Sequence, residues 1–228
     1  VYQRQAGAPR EVLLEVANVS LAFGGVNAIS NISFDIRAGE IRAIIGPNGA
    51  GKTSMLNVIN GFYHPQQGTI TFQGKVRRRM RPYEAARSGI ARTFQIAAVF
   101  PTMTVVENVQ MALLSARGEI FRFVRGVPGR EREPALALLD RVGLADLADA
   151  AARNLAYGDV KRLELAVALA NRPRLLLMDE PTAGMAPKER ADLVALTRRI
   201  VDEEGASVLF TEHSMDVVFA FADRILGG

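Results

Sequence analysis

The eight residues Gly46-Pro47-Asn48-Gly49-Ala50-Gly51-Lys52-Thr53 constrain this chain more than anything else in it. They match G-x-x-x-x-G-K-[ST], a pattern that arises by chance in roughly one chain in a hundred of this length. The context is also right. The apolar run Ile41–Ile45 reads as a strand entering the loop, and a helical pattern leaves it through Asn60. Glycines let backbone N–H groups converge on phosphate oxygens, and the following helix presents the positive end of its dipole. Lys52 is therefore expected to reach the outer phosphates, and the Thr53 hydroxyl to ligate Mg²⁺. The bland alternative is a Gly-rich turn with an incidental lysine.

The rest of the chain supplies the fold such a loop belongs to. Glu11–Phe23 alternates apolar and polar residues, and Ile29–Ile36 follows as a second strand after Gly24-Gly25. Gly68–Phe72 reads as a strand and Pro82–Ser88 as a short helix. From about Thr104 to Ala152 the pattern is helical, with Ala135, Leu138, Leu139 and Val142 on one face. A helix over Gly158–Ala170, a buried strand over Leu175–Met178, an amphipathic helix over Lys188–Glu204, a strand over Ser207–Thr211 and a short helix over Met215–Ala222 complete the chain. The expected architecture is one α/β domain spanning residues 1–228 with an inserted helical piece from about 96 to 157.

Composition narrows the function classes. An apolar share of 49% against 23% charged residues suits a packed core rather than disorder. With no cysteine and only His64 and His213, disulfides, thiolate metal sites, cysteine nucleophiles and multi-histidine centres are excluded. No apolar run approaches the roughly 18 residues a bilayer span needs. Val1–Arg10 lacks a signal-peptide core, so a soluble, cytoplasmic chain is expected. The net charge of +4 does not itself argue for nucleic acid. The basic run Lys75–Arg81 carries no interleaved aromatics for base stacking and reads as a solvated loop, with anionic lipid headgroups as a third possibility.

Leu175-Leu176-Leu177-Met178-Asp179-Glu180 ends a buried strand in two carboxylates. In open α/β sheets, ligands lie beyond the carboxyl ends of the strands. That puts the pair beside the phosphate loop, with Asp179 holding Mg²⁺, through water, and Glu180 polarising the attacking water as general base. His213 follows Ser207–Thr211 at another strand end, where contact with the γ-phosphate outweighs a purely structural role. Met178 and Met185 read as packing.

Together these motifs resemble the ATP-binding subunits of ATP-binding-cassette (ABC) transporters, and the resemblance covers nearly the whole chain. The residues that carry it are Phe23, Gly46–Thr53, Gln95 in Arg92-Thr93-Phe94-Gln95, Leu155–Asp159, Leu175–Glu180 and His213. Arg92–Gln95, Leu155-Ala156-Tyr157-Gly158 and Thr211-Glu212-His213-Ser214-Met215-Asp216 look most like the LivG-type ATPases of branched-chain amino acid importers. The resemblance implies a P-loop NTPase (RecA-like) core with an N-terminal antiparallel β subdomain and an inserted α-helical subdomain. It implies ATP and Mg²⁺ as ligands. Phe23 would stack on adenine, while Asn48, Gly49, Ala50, Gly51, Lys52, Thr53 and Ser54 cradle the phosphates. Mg²⁺ would meet Thr53, Gln95 and Asp179, and catalysis would rest on Glu180, His213, Lys52 and Gln95. Two ATPase subunits would face each other head to tail, with Ala156, Tyr157, Gly158 and Asp159 opposite the partner's phosphate loop. That partner is a second ABC ATPase subunit, identical or homologous. The pair would lie on the cytoplasmic face of the inner membrane against permease subunits, fed indirectly by a periplasmic or extracellular binding protein, with no nucleic acid. The helical insert, with Gln95 at its start, would dock on the permease.

The chain departs from the broad family in three places. Ala156, Tyr157, Gly158 and Asp159 stand where Ser-Gly-Gly-Gln is usual, so no hydroxyl faces the γ-phosphate. Asp159 leaves two consequences open: it accepts a ribose hydroxyl of the partner's ATP, or it weakens that half-site. Ala186 stands where Asp is common. Family members also continue past the equivalent of Gly228, so a further tail is expected. A soluble ABC ATPase acting on DNA or ribosomes is the competing reading; a single phosphate loop and the lack of sustained heptads weigh against it.

Overall fold

Apolar alternation builds the first layer. The computed structural model of the protein describes residues 10–93, 99–119 and 129–227. Strand β1 (Val12–Phe23) buries Leu14, Val16, Val19 and Leu21. The alternation skips a beat between Val16 and Val19, where the ladder shifts register and Asn18 takes a φ of 51°, the signature of a bulge. Gly24 and Gly25, with φ of 52° and 87°, close a two-residue turn into β2 (Val26–Arg37), a conformation that favours glycine at both positions. With β4 (Gln67–Phe72) and the short β5 (Lys75–Val76) these strands form an antiparallel sheet in the order β2-β1-β4-β5.

The second sheet is parallel throughout. Its order is β6-β7-β8-β3-β9, from β3 (Ile41–Ile45), β6 (Ile90–Thr93), β7 (Leu175–Asp179), β8 (Ser207–Thr211) and β9 (Arg224–Gly227). Asp179 and Ile44 both pair with Thr211, and Thr93 pairs with Met178. The carboxyl ends of β6, β7, β8 and β3 are thus level, and the loops that leave β3, β7 and β8 share one edge. Both faces of this sheet are covered, as its continuous apolar strands require. Leu175, Leu177 and Leu209 face the antiparallel sheet and helix α1 (Lys52–Ile59), in a core with Leu14, Ile36, Leu56, Ile59 and Phe72. Leu176, Met178 and Phe210 face the other way. They join a core shared with α3 (Val105–Ala116), α4 (Gly129–Arg141), α5 (Tyr157–Leu169) and α6 (Pro187–Glu204). Met185 lies in this core too. Helices α2 (Pro82–Ser88) and α7 (Met215–Phe221) are the remaining α-helices among the described residues. Among the described residues no helix is long and apolar enough to cross a membrane.

The structure corrects the sequence reading at the helical stretch and at three strands that had no reading, β5, β6 and β9. The helical stretch after Thr104 is not continuous: α3 and α4 are followed by 3₁₀ turns at Ala145–Leu147 and Ala152–Asn154, and Thr104 bridges Ala151. Glycines at 118 and 143, both at positive φ, end the two helices. Strand β6 had no reading at all, being four residues long with an arginine inside it. The basic run Lys75–Arg81 is largely exposed, apart from Met80.

An ionic cluster joins the two sheets at the edge away from the phosphate loop. Arg224 of β9 reaches both carboxylate oxygens of Asp35 (2.8 and 3.1 Å) and approaches Glu40 at 3.4 Å. Arg42 pairs with Asp35 at 3.2 Å and lies over the Phe34 ring. The Arg224 hydrogen bonds hold Asp35 well below the usual carboxylate range, against the opposing pull of burial. Burial pushes Glu40 upward despite the Arg37 amide that bonds it.

Candidate nucleotide site

Gly46–Gly51 wraps the carboxyl end of β3 and delivers the chain into α1. Gly49 and Gly51 sit at φ of 84° and 79°, in the left-handed region where side chains are strained. At Gly51 there is no alternative to glycine, because a Cβ would come 2.0 Å from the Ala28 carbonyl oxygen. Residue 51 also caps α1 without any side-chain bond, so the first amides of the helix have no intrahelical partner and point outward. Lys52 is buried, and its Nζ donates to the carbonyls of Gly46 (2.7 Å) and Pro47 (2.8 Å). The ammonium thus lies across the mouth of the loop. Asn48, Gly49, Ala50 and Thr53 are exposed around it, with Ser54 half-buried.

The neighbouring strand ends bring the acidic residues to this loop. Asp179 is the last residue of β7, and its side chain is 1% exposed. One carboxylate oxygen accepts from the hydroxyls of Thr53 (3.2 Å) and Thr211 (2.7 Å); the other accepts from Arg92 (3.0 Å). The Thr53 hydroxyl and Asp179 carboxylate are hard oxygen donors side by side, the chemistry that suits Mg²⁺. Among the described residues no group of three or more His, Cys, Asp or Glu could hold a metal ion.

Glu180 follows with a φ of 47°, and its amide donates to both the carbonyl and the hydroxyl oxygen of Thr211 (3.1 and 3.0 Å). A non-glycine residue held in this region marks a backbone over-determined by its surroundings. The turn aims the Glu180 carboxylate at His213, whose Nε2 lies 2.5 Å from Oε1. Behind this pair sits a buried carboxylate that the sequence did not single out. Glu212 accepts from the Thr182 amide (3.1 Å) and hydroxyl and from the His213 amide (3.0 Å), with the Ser214 amide at 3.4 Å. It joins the loop after Glu180 to the loop that carries His213.

Phe23, the last residue of β1, is 46% exposed and meets the Tyr63 ring edge-on at 4.9 Å. Ala156, Tyr157, Gly158 and Asp159 lie together at the start of α5. Ala156 caps that helix with no side-chain bond. The Tyr157 hydroxyl donates to the Ala183 carbonyl (3.1 Å), and Gly158 abuts Glu189, which bonds the Ala186 amide. Gln95, assigned from sequence to metal and catalysis, lies outside the described residues, as does Phe94.

The residues that sequence reasoning missed left faint signals. Arg92 is a lone cation in a short apolar run, and Glu212 is a carboxylate beside a histidine already under suspicion. Tyr63 offers only an aromatic after Gly61.

Comparisons with known proteins point to one family. The family model described as ABC transporter matches residues 29–183. A high-affinity branched-chain amino acid transport ATP-binding protein, LivG of Salmonella typhimurium, is 39% identical over 220 residues, which are 93% of this chain and 86% of that one. The ADP conformation of MJ1267, an ATP-binding cassette of an ABC transporter, superposes with a TM-score of 0.85 at 29% identity, covering 95% of this chain and 87% of that one. A dimeric post-hydrolysis state of the ATP-binding cassette MJ0796, bound to ADP and Pi, superposes with a TM-score of 0.78 at 28% identity, covering 94% of each chain.

Proposed function

The chain belongs to the ABC transporter family, and we propose that it is the ATP-binding and ATP-hydrolysing subunit of an importer for branched-chain or related amino acids. The observation that carries this reading is the convergence at one sheet edge. The Lys52–Thr53 loop, the Asp179–Glu180 strand end and His213 meet there in a chain that matches LivG along 93% of its length. The loop amides and Lys52 bind the β- and γ-phosphates, with Phe23 against the adenine ring. Mg²⁺, when bound, neutralises charge that develops on the transferred phosphoryl group. Thr53 and Asp179, with Gln95 contributed from the adjoining segment, orient that ion. Glu180 takes the proton of the attacking water, and His213 holds the Glu180 carboxylate in place while facing the γ-phosphate.

A second ATPase subunit completes the site. Its own 156–159 equivalent would supply backbone N–H groups from a helix N-terminus to the γ-phosphate bound on this chain. ATP binding then draws the two subunits together, and hydrolysis with release parts them. Permease subunits dock on the segment from about 96 to 157, an inserted helical subdomain, at the cytoplasmic face of the cell membrane. The test is Glu180→Gln in the assembled transporter. Calorimetric ATP affinity is expected to stay within about threefold of wild type, while turnover falls by about a hundredfold or more. Turnover near the wild-type rate would reject the assigned base.

A further inference from the structure

Asp179 has a resident cation. The Arg92 guanidinium bonds its carboxylate at 3.0 Å, and the two side chains are 8% and 1% exposed. The other end of the same guanidinium bonds the neutral Asn57 side chain on α1. Its Nε has no hydrogen-bond partner among the described residues. Asp179 is thus the only anion that Arg92 meets among the described residues, and burial keeps water from screening the pair. The charge arithmetic is simple. Thr53 and Thr211 contribute neutral hydroxyls, so among the groups that bond Asp179 it is Arg92 that balances its charge. A hydrated divalent cation gives up its water reluctantly. Against a carboxylate already neutralised by a buried guanidinium it gains little.

We propose that Arg92 is a positioning residue that holds the Asp179 carboxylate in place while making divalent-ion capture at this site conditional on nucleotide phosphates. When the phosphates arrive they bring the negative charge that the pocket lacks, and the cation enters with them. Without the guanidinium, Asp179 presents a full negative charge beside the Thr53 hydroxyl, and the site takes up the ion on its own. The inference rests on the nucleotide-site reading above, but a metal titration without nucleotide does not depend on ADP binding.

The experiment titrates the whole chain with Mn²⁺, reading the free ion by electron paramagnetic resonance, with and without ADP. Wild type is expected to hold Mn²⁺ at least about a hundredfold more weakly without ADP than with it. Arg92→Met is expected to gain about tenfold in nucleotide-free Mn²⁺ affinity, and Arg92→Met with Asp179→Asn to lose that gain. Arg92→Gln keeps a donor toward Asp179 without the charge; it guards against misfolding of the Met variant and is expected to show the same gain. A gain below about threefold in the folded variants overturns the proposal. So does wild-type protein that binds ADP in EDTA and yet holds Mn²⁺ as tightly without ADP as with it. Calorimetry of ADP binding in EDTA is the separate check on the nucleotide site: absence of ADP binding would sink that reading and leave the Mn²⁺ result to stand by itself.

Discussion

Glu212→Ala removes the carboxylate that joins the loop after Glu180 to the loop that carries His213. In the native site this group accepts from the buried Thr182 amide at 3.1 Å and hydroxyl and from the part-buried His213 amide at 3.0 Å. Thr182 and Glu212 are both buried, so water enters the gap poorly and the amides are left short of partners. Each buried donor that loses its acceptor costs about 1–1.5 kcal/mol here, giving a total of about 3 kcal/mol. For a chain of this size that lowers the melting temperature by about 9 °C. Glu212→Gln retains one acceptor and is expected to lose about half as much. The functional effect follows from which residues move. His213 and the loop from Glu180 are released, while Gly46–Thr53 keeps its own bonds. Turnover should therefore fall about tenfold, with the KM for ATP within about twofold of wild type. Thermal melts and steady-state ATPase assays on both variants measure this. A Glu212→Ala protein that melts within about 2 °C of wild type, or one that loses KM rather than kcat, would refute the reasoning.

Two further outcomes are expected. Gly51→Ala should cost about 3 kcal/mol or more in urea unfolding, because strain at φ of 79° adds to a 2.0 Å approach to the Ala28 carbonyl; Gly49→Ala, at φ of 84° but with nothing within 4 Å, should cost only about 1–2 kcal/mol. Arg224→Met should cost about 2 kcal/mol at pH 7, below the full value for a buried pair because Arg224 and Asp35 are partly exposed. Asp35 titrates lower in the folded chain than in the unfolded one, so its contribution is complete above about pH 4 and fades as pH falls below that. Urea unfolding of wild type and variant at both ends of that window tests it, and an equal gap at pH 3 and pH 7 would sink the explanation.

Local patterns made most of the nucleotide site legible. A glycine-rich loop between a strand and a helix, and an apolar run that ends in Asp179 and Glu180, each announce their geometry within a few residues. So does His213 just past a strand. What stayed hidden is built from partners far apart in the chain. Arg92 meets Asp179 across 87 residues and Asp35 meets Arg224 across 189, and no window of periodicity can join them. Strand β6 escaped because four residues containing an arginine show no alternation, and because its β character comes from pairing with β7. The helical region after Thr104 was legible as helix, but its breaks were not. Gly118 and Gly143 break it through positive φ values, which apolar spacing does not encode.

The Tyr157 hydroxyl on the Ala183 carbonyl, together with Gly158 pressed against Glu189, makes the start of α5 and the loop beyond Glu180 a single mechanical piece. Whatever settles on the amides of residues 157 and 158 therefore also acts on the turn that aims the Glu180 carboxylate.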